Sequence, residues 1–328
     1  NAIINVSERG FAAGRGPGAG TTAQRSTSGA GASHGGQGAW GNAGNTPPPT
    51  YGSFTRPSTL GSGGDGCVGG GAVWLSIGGT ATINGSILAD GGAASQRAGA
   101  SGGSIFIEAN ALAGTGLLRA RGGGQSFLPG GGGRIAVVLR SSETFGDSGF
   151  RMQAPGHTRG SGDGPDFRSA AGTVYRECPS VRLLTIDNSL NPTTATNVYT
   201  IIPAELESYD PPAAVTSELA AVSLHAPAGA QAHIRLCDSL RMWTLDRLGS
   251  NSTLNLYGFT LYFKTSAPEG FPDLSEPSTT PVNVPAALGG GKIYPNGGRI
   301  LWNDQPVTIP FFAWGGPNGT IANYDPNT

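Results

Sequence analysis

Apolar and polar residues alternate along much of this chain with a period of two, the mark of a strand with one buried face. Val73, Leu75 and Ile77 alternate with Trp74 and Ser76, and a second apolar run, Thr82–Leu88, follows a Gly78-Gly79 turn. Further on, Ile105 and Ile107 flank Phe106, and Leu112, Leu117 and Leu118 follow. β-branched residues in short runs between glycine turns predict strands. The same reading applies to Val181–Ile186, Ala220–Leu224, Ile234–Leu236, Ser252–Leu256, Phe259–Phe263, Lys292–Tyr294 and Arg299–Trp302.

The pattern repeats. GGAVWLSIGGTATINGSILADGG (70–92) aligns with GGSIFIEANALAGTGLLRARGG (102–123), and GGRIAVVLR (132–140) begins a third copy. The glycine pairs start at 70, 102 and 132. Self-similarity at a fixed period predicts stacked units, because strands this short bury no face alone. The expected fold is therefore all-β: a glycine-rich parallel β-solenoid, or β-helix, with a β-rich C-terminal part. At about 25 residues per rung the chain would make on the order of 13 rungs, roughly 60 Å of stack. Residues 1–178 are predicted to form the solenoid with a glycine-rich N-terminal arm, and residues 179–328 a β-rich region that continues it or stands apart. The arm, 10–50, is expected either to pack on the solenoid or to reach a neighbouring subunit.

Composition sharpens this. Glycine and proline supply 56 and 24 of 328 residues, a density that disfavours helices throughout. A net charge of -1 argues against a nucleic-acid partner, which needs a basic face. No apolar run approaches the length of a membrane-spanning helix. The chain begins at Asn1 and reads as processed or excerpted.

Chemistry-bearing residues are sparse. Asp163, Asp166 and Arg168 cluster in SGDGPDFRS, a pattern better suited to a polar turn than to a calcium loop. His34, His157, His225 and His233 are scattered, though His225 and His233 would approach each other if a hairpin joined them. The glycine runs Gly14–Gly20 and Gly130–Gly133 lack the context of a phosphate loop and read as tight turns. Cys67, Cys178 and Cys237 form no C-x-x-C pair; Cys178 and Cys237 either bond to each other or stay reduced. Sequons occur at Asn5, Asn84, Asn251 and Asn318. No catalytic set, cofactor motif or metal site is predicted. The remaining candidates are aromatic: Trp40, Tyr51, Trp74, Phe106 and Phe127. Trp74 and Phe106 hold the same repeat position and should stack in a ladder. Such a ladder serves subunit contact, solenoid packing or glycan stacking.

Several stretches resemble the glycine-rich β-solenoid repeats of large bacterial secreted and cell-surface, adhesin-like proteins. They are Gly14–Gly20 (GRGPGAG), Tyr51-Gly52, Leu60–Gly64, Gly130–Ala136 (GGGGRIA), Ala171–Tyr175 and Thr253–Leu261. The resemblance implies an extracellular or cell-surface structural role and supplies no catalytic residues. The resulting expectation is a self-assembling subunit of a filament, sheath or fibre, whose partners are copies of itself. In that reading the arm or the terminal segment Ile321, Ala322, Asn323 and Tyr324 adds a strand to a neighbour. The alternatives are an adhesin or glycan-binding module and, less well supported, a polysaccharide-degrading β-helix enzyme.

Overall fold

The computed structural model describes residues 2–21, 29–40, 46–93, 98–124, 128–145, 149–157, 168–190, 198–206 and 220–303. Among them the fold is all-β, with only a single 3-10 turn at Ala286–Leu288. After β1 (Ile3–Asn5), the chain makes β2 (Ala72–Ser76), β3 (Thr80–Thr82) and β4 (Ser86–Leu88). It then repeats the course with β5 (Ser104–Ala109), β6 (Ala111–Ala113) and β7 (Leu117–Arg119). A third course supplies β8 (Arg134–Leu139) and β9 (Arg151–Gln153), and β10 (Thr173–Glu177) opens a fourth. Equivalent strands pair in parallel. Val73 lies beside Ile105, Ile105 beside Ile135, and Ile135 beside Val174. The first two steps are 32 and 30 residues, the spacing of the glycine pairs. Likewise Ala81 pairs with Leu112, and Ile87 with Leu118 and then Met152. β1 adds one parallel strand outside β4.

At Cys178–Val181 the chain turns, and β11 (Arg182–Thr185) pairs antiparallel with β10. A second series follows: β12 (Thr200–Ile202), then β13 (Ser223–Ala226), β14 (His233–Leu236) and β15 (Leu240–Met242). Next come β16 (Thr244–Leu248), β17 (Thr253–Asn255) and β18 (Thr260–Phe263), then β19 (Val282–Asn283), β20 (Lys292–Tyr294) and β21 (Arg299–Leu301). The parallel partners Leu224 and Leu245, Ile234 and Leu254, Leu240 and Leu261 are 20 or 21 residues apart. The last step, Leu254 to Ile293, is 39, because 264–291 intervenes. The 30- to 32-residue spacing of the glycine pairs is thus the spacing of the first strands, whereas the 25-residue rung used to estimate length fits neither these steps nor the 20- and 21-residue steps that follow. The strand read at Ala220–Leu224 begins later, at Ser223, and the run Thr82–Leu88 breaks into the ends of β3 and β4.

One sheet joins the two series, in the order β16-β13-β11-β10-β8-β5-β2. Its faces bury different cores. Ile105, Ile107, Ile135, Val137 and Val174 point to a core shared with Ile87, Leu112 and Leu118. Phe106, Ala136, Val138 and Tyr175 point the other way, to a core continuous with Leu184, Leu224, Leu245, Ile234, Leu254 and Ile293. This two-sided burial explains why every residue of β8 is buried and why it reads RIAVVL without alternation.

The glycine-rich stretches cover the second face. Ala32 N donates to Gly99 O at 2.9 Å, Gly35 N to Gly132 O at 3.0 Å, and Tyr51 N to His34 O at 3.1 Å. Residues 29–39 are buried. The described part of the arm is thus bound within its own chain, the first of the two expected outcomes, and not as a strand held out to a neighbour. The arm's described residues form no repeat course of their own. Glycine is required because these backbones touch. A Cβ at Gly172 would overlap the Gly133 carbonyl, one at Gly133 that of Gly103, and one at Gly103 that of Gly71. Among the described residues, no helix is long and apolar enough to cross a membrane.

Candidate interaction surface

Three sheets end together at the start of the repeat. β2 is the edge of the long sheet, β3 of a two-stranded sheet, and β1 of the sheet β1-β4-β7-β9. Residues 6–14 hydrogen-bond along 61–69, as in Gly10 N to Gly69 O at 2.7 Å and Gly14 N to Gly64 O at 2.8 Å. They cover the glycine corner and, among the described residues, leave the outer edges of β1, β2 and β3 without a strand partner. Between those edges opens a cavity of about 460 Å³ lined by Ile4, Leu75, Ile77, Ala81, Ile83 and Ile87, with small polar residues. None of the described residues lining it is charged. Large apolar side chains stand exposed on these edge strands: Ile3 at 63% and Ile4 at 45% on β1, and Trp74 at 50% on the face of β2 turned away from the cavity. Strand edges with neither proline nor lysine are templates for further pairing.

The opposite end is closed differently. β19 runs antiparallel on β20, and Gly290 bridges to Gly249 beyond β16. Leu274 and Val284 are buried over the second core, and Phe271 and Leu288 pack on it. Trp302 stacks on Phe263 at 4.5 Å and meets Phe271 edge-on at 4.9 Å.

The predicted aromatic candidates separate. Trp74 and Phe106 face each other across β2 and β5, with ring centroids 4.1 Å apart. Phe106 is fully buried, with the Arg56 guanidinium 6.0 Å from its ring, and the next position in the column is Ala136. The ladder therefore reaches solvent only at Trp74. Tyr51 is buried, stacks on His34 at 4.5 Å, and its hydroxyl donates to Leu60 O at 2.7 Å. Trp40 is half-buried. The four that are described, Trp40, Tyr51, Trp74 and Phe106, do not make one exposed stripe. Phe127 lies outside the described residues, as do Ile321, Ala322, Asn323, Tyr324, Asp163 and Asp166.

Arg134 is a residue whose part the sequence did not reveal. It is wholly buried at the start of β8. Its Nε donates to Tyr51 O at 2.9 Å and its Nη1 to Thr173 Oγ1 at 3.1 Å, tying the covering segment to the sheet. Its only sequence signal was its place in GGGGRIA. His34 lies in the same layer. Its Nδ1 is 2.7 Å from Gly102 O, which can only accept, so Nδ1 carries the proton. Nε2 then accepts from Thr59 Oγ1 at 2.9 Å. Burial, and then the Arg134 charge, push this imidazole down from 6.5 to about 3.

The other titratable groups do not gather. His225 Nδ1 is 2.5 Å from Asp246 Oδ2. His233, on β14, belongs to another sheet and meets Thr253 Oγ1 at 2.8 Å, so no hairpin brings the two histidines together. All three cysteines are thiols, which leaves Cys178 and Cys237 unbridged. Burial pushes Cys67 up to about 11. Among the described residues no three His, Cys, Asp or Glu groups converge as a metal site would require. A second hollow of about 310 Å³ lies beside β9, between Phe150, Met152 and Arg176. Comparison with family models, with curated proteins and with solved structures gives no match.

Proposed function

We propose that this chain is a structural subunit of an extracellular filament, sheath or fibre, built as a glycine-rich β-solenoid whose copies join through uncapped strand edges. The observation that carries the reading is the shared end of three sheets, where β1, β2 and β3 have no outer strand partner among the described residues, beside an apolar cavity whose described lining carries no charge. Repeated parallel courses, backbone-to-backbone glycine packing and a second buried layer suit a rigid mechanical part better than a site that must move. The resemblance to bacterial surface repeats supports an extracellular setting. Pelleting of the purified full chain at rising concentration tests this reading. Sedimentation that grows with concentration is expected; a chain that stays in the supernatant as a monomer throughout contradicts it.

A second reading has one specific observation behind it. Trp74 presents half of its surface to solvent from a rigid strand and is backed by Phe106, as a sugar-stacking platform would be. This would make the chain an adhesin module. Glycan-array binding that disappears in Trp74→Ala would favour it over assembly.

A further inference from the structure

We infer that the uncapped end joins two copies of this chain head to head, related by a two-fold axis. This rests on the reading of the chain as a self-associating structural part, and adds which end joins and with what symmetry.

The argument starts from what the end can accept. An occupant must supply backbone donors and acceptors at strand spacing, because β2 and β3 are edge strands with no outer partner among the described residues. It must also be apolar, because none of the described residues lining the cavity is charged and Ile3 and Ile4 on β1 and Trp74 on β2 stand exposed on the same edge strands. The end of a second copy has both properties. The far end of the same chain does not: β19 lies antiparallel on β20, and Phe271, Leu274 and Val284 cover the second core there. Head-to-tail stacking would set an open end against a covered one.

Shape favours the same partner. β1 makes the end stepped, one strand higher on its own sheet than on the sheets of β2 and β3. Turning a second copy over about a two-fold axis reverses the step. β1 of each copy then comes against β3 of the other, running antiparallel. A self-complementary patch of this kind gives an isologous, closed contact. Its size sets its strength. A course from Ala72 to Leu88 is about 55 Å of extended chain. Folded into three sides and dressed with side chains, it presents on the order of 500 Å² per copy. The total, about 1,000 Å², is at the lower end for a specific interface, so the joint is expected to be reversible and concentration-dependent. Any longer assembly needs a second joint elsewhere on the molecule.

Sedimentation velocity of the full chain from low to high micromolar tests the joint. The wild type should pass from monomer to dimer. Ile3→Lys combined with Thr82→Lys changes two exposed positions, one on β1 and one on β3, and should weaken dimerisation by about tenfold or more, since lysines meet across the axis. Ile3→Lys combined with Thr82→Glu should recover much of that loss, whereas Val181→Lys, in the turn after β10, should leave the equilibrium unchanged. Circular dichroism confirms that each variant keeps its strands. Dimerisation untouched by the double lysine variant, or equal loss in the Lys/Lys and Lys/Glu pairs, overturns the head-to-head joint while leaving self-association standing. A wild type that never associates removes the structural reading as well.

Discussion

At the scale of single residues, this fold depends on places where there is no side chain. The column Gly71, Gly103, Gly133 and Gly172 lets successive courses stack with carbonyl oxygens where a Cβ would otherwise be. Gly133→Ala should therefore destabilise the protein by about 3 kcal/mol or more, through forced separation of packed backbones. Gly78 is the control: a Cβ there meets nothing, and Gly78→Ala should change stability by no more than about 0.5 kcal/mol. Chemical denaturation measures both. His34 gives a pH signature. Its neutral ring fits the layer, and a second proton on Nε2 would end its acceptance from Thr59 and place a cation near Arg134. The folded imidazole is held below its unfolded value, so the unfolded state takes up the proton first. Stability from this group is full above about 6.5 and lost as pH falls from there towards about 3. The urea midpoint should fall across that window, and His34→Gln should flatten the slope. A slope unchanged in the variant would contradict the assignment.

At the scale of elements, the long sheet carries the architecture because it has a core on each face. The antiparallel turn from β10 to β11 is what moves the chain from one core to the other. Val137→Ala removes methyls from the first core and Leu224→Ala from the second, and each should cost about 1–5 kcal/mol. Because the cores share a sheet, both should lower a single common unfolding transition; two separable transitions would contradict this. Much of this level was legible in advance. The repeat at 70, 102 and 132 gave the parallel register of β2, β5 and β8, and Lys292–Tyr294 was read with its observed limits. The two-sided burial was not read, since the cover of Phe106 comes from residues some fifty positions earlier and has no local pattern. The clue available was the unbroken apolar run in β8, where alternation would have meant one wet face. β1 was missed for a related reason: three residues pair with a strand eighty positions away, and only that pairing makes them a strand.

At the scale of the whole molecule, the two ends differ. One is a set of bare strand edges around an apolar hollow; the other is overlaid by β19 and by Phe271, Leu274 and Val284. A structural part with one open end tends to associate, since an unpaired edge is satisfied by another edge. The sequence pointed to the arm, the aromatic residues and the segment Ile321–Tyr324, which lies outside the described residues, as means of assembly. The fold brings forward the first three strands as well, with Trp74 the one predicted aromatic on them. Electron microscopy of native material over a range of concentrations tests this account most directly. Copies are expected to pair at their uncapped ends, and longer assemblies, where a second joint forms, to repeat with that pair as the axial unit. Separate, unassociated particles at every concentration would contradict it.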